Sequence, residues 1–110
     1  MSEIRIDQMV KVHSEALELF RNKNTDYGDA FATYGTVGVI VRMGDKIQRL
    51  ISVSNKGVAL IDTESLRDTL IDLHNYAAMG IMLIDEQRVK NEVIQQKTVH
   101  NSILIMENLY

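Results

Sequence analysis

Hydrophobic and polar positions alternate along most of this chain with the period of a helix. From Ile6 to Arg21, Met9, Val10, His13, Ala16, Leu17 and Phe20 recur at intervals of three and four, the spacing of an amphipathic helix. The run ends in Asn22-Lys23-Asn24-Thr25-Asp26-Tyr27-Gly28-Asp29, residue types that favour caps and turns, so the pattern predicts a loop there. A second helix is predicted over about Gly38–Ser54, with Val39, Met43, Ile47, Leu50 and Ile51 inward. Arg42, Asp45 and Arg49 lie on an adjoining face, and Asn55-Lys56-Gly57 ends the helix. Asp62 or Thr63 then supplies an N-cap for a third helix reaching about Asp85. Leu66, Leu70, Leu73, Ala77 and Met79 to Leu83 should make that helix the most buried element. Beyond it, Glu86 to Gln96 fits a continued or restarted helix. Val99, Ile103, Ile105 and Leu109 fit a strand or a helix equally well, in a role of packing or subunit contact.

The third helix carries the most unusual pattern. Glu64, Asp68 and Asp72 follow one another on a single stripe, with Asn75 one turn further on. Like charges four apart on an exposed helix repel by roughly 0.2–0.5 kcal/mol per pair, so a cation is expected against the stripe. Either a metal ion or arginines from a neighbouring helix would serve.

Composition narrows the classes. The 110 residues, 45% apolar and 25% charged, suit one soluble domain rather than a disordered chain. A chain of this size buries only about 60–70% of its unfolded surface, so subunit association is an expected supplement. The absence of cysteine removes disulfides, thiolate zinc sites and a cysteine nucleophile, and fits a reducing compartment. A formal charge of −3 argues against broad binding to nucleic acid, which lysine and arginine drive. No signal-type start or long uninterrupted apolar run is visible, so a cytoplasmic location and no membrane partner are expected. His13, His74 and His100 show no metal-ligand spacing, and the methionines read as core filler.

Three segments in order, Lys23-Asn24-Thr25-Asp26-Tyr27-Gly28-Asp29-Ala30-Phe31, Val41 to Leu50 and Glu64 to Ala77, resemble the nucleotide-modification-associated domain type 1 family. That family is common in bacteriophages and is similar to the all-α nucleotide pyrophosphohydrolases of MazG type. The resemblance covers about residues 6–84 and leaves 85–110 as a C-terminal extension of a single 1–110 domain. It implies an all-α, MazG-like helical bundle, expected to be oligomeric, that takes a nucleotide or nucleotide-like phosphorylated ligand.

MazG-type enzymes hold magnesium through a Glu-x-x-Glu motif on one helix and an acidic pair on a later one. Here Asp68 and Asp72 match the later pair, while the earlier helix departs from the pattern and offers only Asp45, flanked by Arg42, Lys46 and Arg49. The resemblance thus implies Mg2+, or Mn2+, on Asp45, Asp68 and Asp72, with Glu64, Asp68 and Asp72 as the catalytic carboxylates. Divalent ions would clamp phosphate oxygens and activate water for hydrolysis of a nucleoside triphosphate. Lys23, Arg42 and Arg49 would meet phosphate, Asp26 would anchor the loop, Tyr27 would stack on a base and Asn75 would bond it. The same letters equally fit a capped helix end with Tyr27 and Phe31 folded into the core, and Asn75 and Tyr76 satisfied within the bundle. Two other readings compete. In one, the chain is a binding module that holds a nucleotide or nucleotide signal without cleaving it, which the missing Glu-x-x-Glu motif favours. In the other, Arg42 and Arg49 simply neutralise Asp68 and Asp72 in a structural or interaction bundle.

Overall fold

The computed structural model describes residues 2–27, 30–55 and 63–109. Every regular element among them is helical: α1 (Ser2–Tyr27), a 3-10 turn (Ala30–Ala32), α2 (Gly35–Asn55) and α3 (Thr63–Leu109). The all-α expectation holds, and no described helix is long and apolar enough to cross a membrane.

The first correction concerns the end of α1, which continues through Asn22 to Tyr27 where a loop was expected. Cap-forming residue types are only weakly unfavourable inside a helix, and tertiary contacts override them. Thr25 Oγ1 donates to the Arg21 carbonyl at 2.8 Å, a bond compatible with the helix, and Lys23 reaches across to Asp72 of α3 at 3.3 Å. Gly28 and Asp29 lie outside the described residues, as do Lys56, Gly57 and Asp62. Thr63 is the first helical residue of α3.

Gly35 opens α2 with φ of 65°, a left-handed conformation that lets the chain turn sharply out of Thr33 and Tyr34. From there α2 runs antiparallel to α3. Lys46 meets Asp72, and Val39 Cγ1 lies 3.7 Å from where a Cβ on Gly80 would stand, so the missing side chain permits the close approach. Val39 is buried, with Met43 and Leu50 half-buried on the same line. Ile47 and Ile51, expected inward, are about half exposed, because a single facing helix covers only a narrow stripe. α1 crosses α3 with fewer contacts than α2 makes, and Phe20 meets Phe31 edge to face at 6.0 Å between ring centres.

α3 supplies the second correction. It is one 47-residue helix that neither stops at Asp85 nor changes to strand. No proline or glycine follows Gly80, and Thr98 and Ser102 return their hydroxyls to the carbonyls four residues back, at 3.0 Å each. Nor is it well buried: Leu70, Ile81 and Met82 are exposed. Among the described residues the buried apolar set is Ala16, Val39 and Ile71, one from each helix, joined by the buried polar residues Thr69 and Asn75. The molecule measures 79 × 33 × 27 Å, because α3 overruns the start of α2 and projects beyond it.

Candidate functional site

The three helices meet around Asp72. Its Oδ2 lies 3.2 Å from Lys46 Nζ of α2 and its Oδ1 lies 3.3 Å from Lys23 Nζ of α1. The Asp72 side chain is only 19% exposed, so both carboxylate oxygens are engaged in a partly desolvated place. Two ammonium groups share this one carboxylate, while Asp68 stands one turn before it on α3 and Asp45 beside Lys46 on α2. On α2, Arg42 and Arg49 stand four residues before and three after Lys46 and extend its basic face along the helix. Both arginines are exposed, and no ion pair among the described residues links either to Asp68 or Asp72. At Asp72 the lysines stand where the structural-bundle reading put Arg42 and Arg49.

A second polar cluster fastens α1 to α3 beside this junction. Asn75 is buried and donates from Nδ2 to the Ala16 carbonyl at 3.0 Å. Its Oδ1 lies 3.1 Å from His74 Nδ1, and His74 Nε2 lies 2.9 Å from His13 Nδ1. All three bonds are satisfied when each imidazole carries its proton on Nδ1, so that His13 donates to His74 and His74 to Asn75. Asn75, expected to face a base, is therefore occupied in joining two helices. One turn away, Arg67 grips Glu15 with both guanidinium nitrogens, Nη1 to Oε1 at 2.7 Å and Nη2 to Oε2. The hydrogen bonds from Arg67 hold the Glu15 carboxyl below the usual glutamate range, and Glu15 in turn raises Arg67.

The remaining expected site residues are spread over the surface. Asp45 and Asp68 are exposed, and Asp68 lies in the field of Arg67. Glu64 is exposed in the first turn of α3, where its charge suits the helix dipole. The Asp26 and Tyr27 side chains lie outside the described residues. Among the described residues no three His, Asp or Glu side chains gather as a metal site. The donor chemistry around Asp72 also fits a divalent ion poorly, since each of its oxygens already faces an ammonium group.

Lys46 is the main residue that sequence reasoning passed over. Its signal was present in the Arg42, Lys46, Arg49 spacing, which makes one basic face. The His13 to His74 contact had no signal, because 61 positions separate the two rings.

Lys23, Lys46 and Asp72 thus join three helices at one charged junction. The family model for nucleotide modification associated domain 1 matches residues 23–84, which begin at Lys23 and include Lys46 and Asp72. The chain belongs to that family, and those residues form a domain associated with nucleotide modification. No curated protein and no solved structure matches the chain.

Proposed function

We propose that the protein binds a nucleotide through its phosphates at the junction of α1, α2 and α3. The observation that carries this reading is the convergence of Lys23 and Lys46, from two different helices, on Asp72 of a third. Asp72 holds the two ammonium groups at one point, and a phosphate with several oxygens can accept from both at once while Arg42 and Arg49 add attraction at longer range. A preformed pair of donors loses little side-chain freedom when ligand arrives. Family membership supports a nucleotide as the source of the phosphate.

The sequence resemblance to MazG-type pyrophosphohydrolases favours a second reading, in which Asp45, Asp68 and Asp72 would hold magnesium or manganese and the ion would supply phosphate clamping and an activated water for hydrolysis. That reading requires Asp45, Asp68 and Asp72 to act together, whereas the first requires only the lysines. Incubation with a panel of nucleoside mono-, di- and triphosphates, with and without magnesium, separates them by calorimetry and chromatographic product analysis. We expect metal-free binding that Lys23→Ala and Lys46→Ala each weaken by about tenfold, the worth of one charge-assisted hydrogen bond. Unchanged affinity in both variants would remove the proposed site. Release of pyrophosphate only in the presence of metal would assign the enzyme reading instead.

A further inference from the structure

Among the described residues no element covers the C-terminal half of α3. α2 begins at Gly35, close to Val39, which meets α3 at Gly80, so nothing on α2 extends along residues 85–109. Every residue from Ile84 to Leu109 is exposed. Twenty-five residues of helix span about 37 Å, and a helix gains most of its stability in a protein from packing an apolar face rather than from propensity. Such a face is present. Met82, Val89, Val93 and Ile103 lie on one stripe at spacings of seven, four and ten, with Gln96 and His100 as polar positions between the last two. The same stripe starts inside the bundle at Ile71 and Asn75, where α1 covers it, and runs on uncovered.

Surface area shows how much cover is missing. The chain exposes 9046 Å² at a mass of 12.5 kDa, whereas a compact monomer of that mass exposes about 6,200 Å². Its radius of gyration is 21.1 Å, against about 13 Å for a compact domain of this length. The excess of roughly 2,900 Å², spread over all three helices, is more than the about 1,000–2,500 Å² that one subunit of an obligate homodimer buries, so the open surface is ample for such an interface. Charge identifies the partner. Between residues 85 and 109, Asp85, Glu86, Glu92 and Glu107 nearly balance Arg88, Lys90 and Lys97. Nucleic acid or an anionic membrane would call for a basic arm. A nearly neutral arm of mixed sign around an apolar stripe suits a second copy of itself.

We propose that the protein is an obligate homodimer in which residues 82–109 of α3 pair with the same segment of a second copy, closing the stripe that the monomer leaves open. This segment lies almost wholly beyond the family match, so the pairing is a property of this chain's extension. The test uses the full chain. Sedimentation and small-angle scattering should give a dimer at micromolar concentration, with a thermal midpoint that rises with protein concentration. The double variant Val93→Glu, Ile103→Glu should dissociate to monomer, while Ile94→Glu, Ile105→Glu, on the opposite side of the same helix, should remain dimeric. Circular dichroism shows whether each variant keeps its helix. A wild-type monomer, extended or folded back into a compact particle, overturns the proposal. So does a double variant at Val93 and Ile103 that stays dimeric, or opposite-face changes that dissociate the protein equally well while helix content is retained.

Discussion

Asp72 is the residue on which both cross-helix lysine pairs depend, and its substitution separates the electrostatic possibilities. Replacement by asparagine keeps the shape and removes the charge. We expect Asp72→Asn to lower stability by about 1.5–3 kcal/mol, toward the smaller value because Lys23 is half exposed and screened by solvent. Titration with a nucleotide in metal-free buffer should at the same time show tighter binding, since the carboxylate's competition for both ammonium groups outweighs the positioning it gives them. A metal ligand would behave in the opposite way, with binding or turnover lost. Repulsion along Glu64, Asp68 and Asp72 and the call for a cation from another helix were legible in the sequence, but the convergence of Lys23 and Lys46 on Asp72 was not, because it depends on how three helices cross. Glu15 gives a pH signature at the same scale. Arg67 lowers its carboxyl in the folded state, so this pair contributes stability above the ordinary glutamate range and loses it as pH falls through the depressed folded value. Thermal midpoints measured across acid pH should fall less steeply for Glu15→Gln than for the wild type. Parallel curves would show that the pair has no net effect on stability.

Among the elements, α2 could be placed from its periodicity, but its start depends on a backbone conformation. Gly35 stands at a φ of 65°, where an L side chain costs roughly 1–2 kcal/mol. Gly44 lies exposed in the helix interior with nothing near the position of an added Cβ. Gly35→Ala should therefore destabilise the protein, whereas Gly44→Ala should stabilise it by about 0.5–1 kcal/mol through helix propensity alone. Urea denaturation of the two variants checks the opposite signs, and equal effects would mean that the turn into α2 is not held as described. The ends of α1 and α3 were harder to read. Asn22 to Tyr27 has the composition of a loop, and contacts such as Lys23 to Asp72 and Thr25 to the Arg21 carbonyl accompany the helix there. Val99 to Leu109 carries apolar residues at spacings that suit both helix and strand, and local side-chain bonds such as Thr98 to Ile94 accompany the helical outcome.

At the scale of the whole molecule, the all-helical class followed from periodicity, while the thin core and the long projection of α3 did not. A hydrophobic pattern states which residues seek burial; it does not state whether the same chain supplies the cover, as Ile47, Ile51 and Leu70 show. One consequence reaches every helix. α1 is tied to α3 by few polar links, Lys23 to Asp72, Asn75 to Ala16, His13 to His74 and Arg67 to Glu15, so it should open before the α2 and α3 hairpin does. A ligand held by Lys23 and Lys46 together would join α1 to α2 directly, and at a hundred times its dissociation constant it would stabilise the bound state by about 2.7 kcal/mol. Hydrogen exchange followed by mass spectrometry, at constant protein concentration with and without nucleotide, should then show slower exchange over residues 12–24, 39–50 and 66–76 together. Residues 85–109 should be unchanged, since the ligand makes no contact there. Slowing confined to a single helix, or concentrated in residues 85–109, would place the ligand elsewhere and break the link between the Asp72 junction and nucleotide binding.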